Sequence, residues 1–160
     1  MKLREILRVK GTDVHCIGPD ALLDEVVQEL VRHNVGSLMV CEAVSRGADI
    51  RVIGIITERD VLRSIANRAE PLVGVRVADA MSADLVTADP DDSIQHAMRL
   101  MTSRRIRHLP ITSDGQLQGI VSIGDIVKSH HDQLEMENHF MCRYIRGEGA
   151  ELATALGHES

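Results

Sequence analysis

Aromatic residues are almost missing from this chain, which has no tryptophan, one tyrosine and one phenylalanine in 160 residues. Without them there is no stacking platform for single-stranded nucleic acid, and any pocket must be walled by aliphatic side chains. Cations are outnumbered, and the net charge of −6 excludes a general affinity for DNA or an anionic membrane surface. No apolar run approaches the roughly 18 residues of a membrane span, and the opening MKLREILRVK lacks the apolar stretch of a signal peptide. Cys16, Cys41 and Cys142 are an odd number with no short-range pairing motif. That excludes a disulfide scaffold or a metal finger and suits a reducing cytoplasm, with the thiols acting as small apolar residues. A Gly-rich phosphate loop, a His-x-x-x-His pair and any assembled Ser/His/Asp or Cys/His set are also absent, so catalysis is not expected.

What is present is one pattern written twice. PDALLDEVVQELVRHNVGSLMV, from Pro19 to Val40, aligns without a gap on PDDSIQHAMRLMTSRRIRHLPI, from Pro90 to Ile111. GIITERDVL (Gly54 to Leu62) aligns on GIVSIGDIV (Gly119 to Val127). The two aligned blocks stand farther apart in the first copy than in the second. The surplus chain falls in EAVSRGAD, where the second copy has the tight turn sequence SDGQ. Each copy opens on a short β run, Val14–Ile17 or Leu85–Thr87, followed by Pro-Asp and an amphipathic helix. The apolar helix positions Leu23, Val26, Val27 and Leu30 match Ile94, Ala97, Met98 and Met101 at spacings of three and four. Two strands and a second helix complete a β-α-β-β-α unit. One such unit could scarcely cover its own sheet, so an α/β (α+β) fold is expected, with two pseudo-symmetric repeats packed sheet to sheet. The divisions read as an N-terminal helical segment over 1–13, repeat 1 over 14–67, a linker and lead-in over 68–84 containing Pro71 and Gly74, repeat 2 over 85–130, and a helical tail over 131–160.

Thr57 with Asp60, and Ser122 with Asp125, each put a hydroxyl and a carboxylate at either end of a three-residue step where a strand turns into a helix. One reading is a capping box that satisfies free amide donors and contributes about 1 kcal/mol per helix. The other starts from the preference of that box for the longer Glu or Gln, whereas both copies carry Asp. A helix N-terminus welcomes an anion, one carboxylate can accept both hydroxyls of a ribose, and the neighbouring hydroxyl can reach sugar or phosphate. The residue pattern leaves both open.

The pattern VTADPDDSIQHAMRLMTSRRIRHLPI followed by GIVSIGDIV, with VGSLMV and GIITERDVL in the first copy, resembles the CBS domain in its tandem form, the Bateman module. The resemblance covers about Val14 to His130, and the tail LEMENHFMCRYIRG is similar to the end of stand-alone bacterial and plant two-repeat CBS proteins. It implies an adenosine ligand in clefts between the repeats: AMP, ADP or ATP first, with NAD or S-adenosylmethionine as further candidates and no obligatory cofactor. It also implies a head-to-head homodimer. In one cleft it implies that Asp125 holds ribose, Ser122 holds sugar or phosphate, and Arg107 and His108 bind phosphate, with adenine near Lys10, Val14 and Val35. In the other, Thr57 and Asp60 take the ribose roles with Val86 and Ile106 against the base. There the positions matching Arg107 and His108 are Gly36 and Ser37, leaving Arg59 as the cation at hand. The first of the two is the cleft expected to bind more strongly.

In the tail, His131, Glu135, His139 and Cys142 fall within roughly 80° of one helix face, a set of zinc-type ligands. Leu134, Met141 and Ile145 occupy another sector of that helix, so the polar stripe reads most simply as its wet side and no metal is expected. SRRIR has too little local charge for a nucleic-acid patch and reads as a solvated helix end with phosphate contacts. The expected function is a cytoplasmic adenine-nucleotide sensor that signals to a separate effector protein through LREILRV or the tail from His130. A ligand-free dimeric interaction scaffold and a metal-responsive protein are the alternatives.

Overall fold

The computed structural model describes residues 1–43, 50–67 and 73–146. In chain order the elements are α1 (Leu3–Lys10), β1 (Cys16–Ile17), α2 (Leu23–His33), β2 (Ser37–Ala43), β3 (Ile50–Thr57), α3 (Glu58–Ala66) and α4 (Val77–Ala80). They continue with α5 (Ile94–Arg104), β4 (His108–Ser113), β5 (Gln116–Ser122) and α6 (Ile123–Ile145). The repeat is visible in backbone detail. Helices α2 and α5 end on the equivalent residues Asn34 (φ 51°) and Arg105 (φ 55°), whose amides close the last helical turn. Where SDGQ joins β4 to β5, Asp114 and Gly115 both have positive φ, 51° and 76°, the backbone of a tight hairpin turn. The site read as the first copy's insertion, within EAVSRGAD, lies largely outside the described residues, as does Pro71.

One sheet has the order β1-β2-β3, with β1 parallel and β3 antiparallel to β2, and the other is the antiparallel pair β4-β5. The strand expected at Leu85–Thr87 does not form. Its counterpart of β1 is reduced to a single parallel bridge, Ala88 with Ile111, held by Ala88 N–H to Pro110 O at 3.1 Å and Thr112 N–H to Ala88 O at 2.9 Å. The chain then turns at once: the Asp89 side chain accepts from Asp91 N–H, and the Asp92 side chain accepts from Asp89 N–H.

Each repeat has its own core, and each core is completed by a segment that precedes the other repeat. Leu3, Ile6 and Leu7 of α1 are buried with Ile94, Met101, Leu109 and Val121 of repeat 2. Val75 and Val77, at the start of α4, are buried with Leu23, Leu38 and Ile56 of repeat 1. The hydrogen bonds that hold these segments are also written twice. Leu3 N–H to Asp92 O at 3.0 Å matches Val77 N–H to Ala21 O at 2.8 Å, and Ile94 N–H to Met1 O matches Leu23 N–H to Val75 O. The paired glycines of the repeated motif make room for this exchange. A Cβ on Gly119 would stand 2.8 Å from Leu7 Cδ2, and one on Gly54 would stand 2.8 Å from Met81 Sδ. The segment over 1–13 and the lead-in VADAMS therefore do packing work that an arm and a linker would not.

The sheets are buried on both faces. In β2, Leu38 and Val40 point into the core of repeat 1, and Met39, on the other face, is just as fully buried outside that core. Pro110, its counterpart in β4, is buried on the face away from Leu109 and Ile111. The repeats thus meet sheet to sheet, and Gly36 marks a close approach: a Cβ there would lie 2.8 Å from His108 Nε2.

Candidate functional site

The two strand-to-helix turns are built alike. At the end of β3, Thr57 N–H donates to Asp60 Oδ2 at 2.9 Å and Asp60 N–H donates to Thr57 Oγ1 at 3.4 Å, a reciprocal capping box. At the end of β5, Ser122 N–H donates to Asp125 Oδ2 at 2.8 Å and Asp125 N–H to Ser122 Oγ at 3.1 Å. The shorter Asp side chain closes both boxes, so the capping role is real in each copy.

Beyond the caps the two turns differ. Thr57 and Asp60 open onto a cavity of about 480 Å³ between the repeats, within the range of small-molecule sites. Its apolar wall comes from Ile55 and Leu62 of repeat 1 and from Leu85, Val86, Ile106 and Pro110 of repeat 2. Five arginines reach it, Arg59, Arg63, Arg104, Arg105 and Arg107, together with His108, against the acids Glu58, Asp60 and Asp84. The excess of cations favours a ligand that carries negative charge. Asp60 is only 8% exposed, and its capping bonds occupy Oδ2. Its Oδ1 has Arg63 Nη1 at 4.0 Å, too far for a hydrogen bond. One carboxylate oxygen thus remains able to accept from a ligand hydroxyl. Arg59 donates across the repeats to Arg105 O at 3.4 Å, over the C-terminal end of α5.

At the second turn, Asp125 Oδ2 also receives Lys10 Nζ at 2.6 Å, and the same ammonium donates to Ile120 O at 2.7 Å. Burial pushes the Asp125 carboxyl up, but the Lys10 ammonium and the bonds from Ser122 outweigh it and hold it below the usual carboxylate range. Val14 and Val35 are half-buried, Val35 against the core of repeat 1.

His108 stands between the two turns, paired in register with Ser122 and lining the cavity with Thr57. Burial lowers its imidazole below the ordinary 6.5, against the pull of the Glu58 and Asp125 carboxylates and with the help of the Lys10 and Arg107 charges. With the folded value below the unfolded one, the stability from neutral His108 is complete above about pH 6.5 and is lost as pH falls through the folded value. The urea midpoint is therefore expected to drop as pH falls below that point, and to drop less in His108→Gln. Equal slopes in the two proteins would assign the drop to other groups.

The structure places the expected residues as follows. His108, expected beside Asp125, lies close enough for that carboxylate to act on its imidazole, and with Arg107, Val86 and Ile106 it also lines the cavity of Thr57 and Asp60. Lys10, expected in the cleft of Asp125, is ion-paired with Asp125 itself. Arg63 and Asp84 were not singled out from the sequence; Arg63 follows Arg59 by one helical turn, the only local signal that it would face the same way. In the tail, α6 runs unbroken through residue 130 to Ile145, and Leu134, Met141 and Ile145, expected to form its packing face, are 52%, 58% and 78% exposed. His131, Asp132 and Glu135 bring one ligand atom each within 4.8 Å of one another, all exposed, whereas His139 and Cys142 do not join them. Among the described residues no helix is long and apolar enough to cross a membrane.

A family model described as "CBS domain" matches residues 4–67 and again 77–132. The chain is 37% identical over 143 residues to the CBS domain-containing protein CBSX3, mitochondrial, of Arabidopsis thaliana, covering 86% of this chain and 66% of that protein. It therefore spans just under two thirds of that relative. The crystal structure of the CBS-domain containing protein ATU1752 from Agrobacterium tumefaciens superposes with a TM-score of 0.74 at 33% identity, covering 81% of this chain and 99% of that one. The CBS domain pair of protein MJ0100, solved with 5′-methylthioadenosine and S-adenosyl-L-methionine, has the same fold, with a TM-score of 0.69 at 21% identity, covering 83% of this chain and 98% of that one.

Proposed function

The chain belongs to the CBS-domain family, and on that premise we propose that it is a regulatory sensor of an adenine nucleotide, bound between its repeats in the cavity at Thr57 and Asp60. The observation that carries this reading is one buried carboxylate with a free oxygen in a cavity of about 480 Å³ that five arginines reach. Ribose hydroxyls donate to Asp60, and adenine lies on the aliphatic side chains of Val86 and Ile106. The phosphates of AMP, ADP or ATP face the guanidinium groups of Arg59, Arg107 and their neighbours, as a cationic wall requires. NAD satisfies the same adenosine contacts, and S-adenosylmethionine satisfies them without using the arginines. The adenosine ligands of the MJ0100 domain pair support this class of ligand.

Ligand bound between the repeats touches both, so occupancy shifts their relative arrangement and acts as a regulatory signal rather than as catalysis. Exposed apolar residues sit at matching places on the two helix pairs, Val27 and Leu62 on one and Met98 and Val127 on the other. They favour a homodimer, whose changed shape an effector protein reads. The free cysteines suit a reducing compartment such as the cytoplasm.

A thermal-shift series tests the ligand class. Ligand-stripped protein is expected to gain several degrees in Tm with millimolar ATP, ADP or AMP, and less with S-adenosylmethionine. A flat response to all of these and to NAD would contradict the proposal.

A further inference from the structure

We infer that the second cleft, at Ser122 and Asp125, is closed by the chain's own Lys10, so that each chain takes one adenosine ligand and not two. The inference rests on the proposed function and extends it to the number of sites.

The two clefts are copies of one another, which makes their difference interpretable. Asp60 and Asp125 hold the same position in the repeated motif and make the same capping bonds through Oδ2. What comes up against each carboxylate is set by the exchanged lead-in segments, which align when Leu3 is set on Val77. In repeat 1, α4 ends at Ala80, and Ser82 N–H then bonds Ile55 O at 2.9 Å, leaving the following residues along the cavity. Asp84, on the cavity wall, is the counterpart of Lys10 in that alignment and carries the same charge as Asp60. It cannot neutralise that carboxylate.

In repeat 2, α1 continues to Lys10 before it stops. Its ammonium takes the Ile120 carbonyl, counterpart of Ile55, at 2.7 Å, and then reaches Asp125 Oδ2 at 2.6 Å. The Lys10 and Asp125 side chains are 35% and 25% exposed, so the pair is partly withdrawn from water and held by a second hydrogen bond. Lys10 is also anchored from behind, because Leu7, one turn earlier, fills the space over Gly119. Among the described residues Asp125 Oδ1 has no hydrogen bond, as at Asp60. What sets the second cleft apart is the tethered ammonium on Oδ2, which neutralises the carboxylate and competes for it with a ribose hydroxyl, a neutral donor. The exchange of Asp for Lys at one matched position thus leaves one cleft ready for ligand and fills the other from within.

Calorimetric titration of ATP, repeated with AMP, into the full chain tests this. Wild type is expected to bind one nucleotide per chain, Lys10→Ala two, and the double variant Lys10→Ala/Asp125→Asn one again. Lys10→Gln, which keeps the methylene stem and loses the charge, serves if Lys10→Ala does not fold. Two nucleotides per wild-type chain, or one per natively folded Lys10 variant, would overturn the inference. No binding to wild type with one site in the Lys10 variant would uphold Lys10 as the closure while refuting the proposed site at Asp60. No binding to either protein would refute both.

Discussion

Asp60→Asn is expected to weaken ATP binding by about 10- to 100-fold while leaving the protein folded, because it removes a charged acceptor from the ribose and keeps the shape of the cap. The expectation turns on the division of labour within one carboxylate. Oδ2 closes the capping box with Thr57, and an asparagine amide oxygen can still accept the Thr57 N–H. Oδ1, with Arg63 no nearer than 4.0 Å, is the atom left for ligand. Asp60→Ala removes both roles and is expected to cost about 1 kcal/mol of stability in addition, because the Asp60 side chain closes the capping box on the Thr57 N–H. Calorimetric titration beside urea unfolding separates the two effects. Unchanged affinity in Asp60→Asn would leave the capping box as the whole purpose of the motif.

Leu3→Ala is expected to cost about 2–5 kcal/mol, a core-sized loss from the third residue of the chain. Leu3 is fully buried, packed with Ile94, Leu109 and Val121 of repeat 2, and α1 is tied to that repeat by Leu3 N–H to Asp92 O and Arg4 N–H to Pro90 O. A terminal residue that merely frayed would cost little. The location of the damage is the sharper test. Amide exchange is expected to accelerate first in α5, β4 and β5, which lie far downstream, and later in α2 and β2, which lie nearer in sequence. Acceleration confined to repeat 1, or a loss well under about 1 kcal/mol, would contradict the exchanged packing.

The sequence carried what local chemistry encodes. Helical periodicity located α2 and α5, Asp-Gly located the hairpin turn at Asp114–Gly115, and the hydroxyl and carboxylate pairs located two helix starts. The exchange of α1 and α4 had no local signature: both are short amphipathic stretches, and which core they enter is decided by contacts far apart in sequence. The matching glycines, Gly54 and Gly119, were visible as a repeat, but the side chains that press on them, Met81 and Leu7, belong to other segments.

The grouping of Arg107 and His108 with Asp125 is what the family resemblance implies, and it agrees with their place at the start of the strand that pairs with Ser122. Sheet-to-sheet packing also brings that end of β4 up to Gly36 and the turn of repeat 1, so that His108 stands between the two turns and the Asp60 cavity gains cations from both repeats. The charge of Lys10 was plain in the sequence, and its target was not. Nor could the spacing of Leu134, Met141 and Ile145 supply a surface for them to cover; amphipathicity states what a helix can bury, and not whether a partner is there.

The most direct test of the account is a crystal structure of the full chain grown with saturating ATP. The expected result is one nucleotide per chain, its ribose hydroxyls on Asp60 Oδ1, its adenine against Val86 and Ile106, and its phosphates toward Arg59 and Arg107, with Lys10 still on Asp125. Nucleotide at Asp125 with the Asp60 cavity empty, or no nucleotide in either cleft, would contradict it.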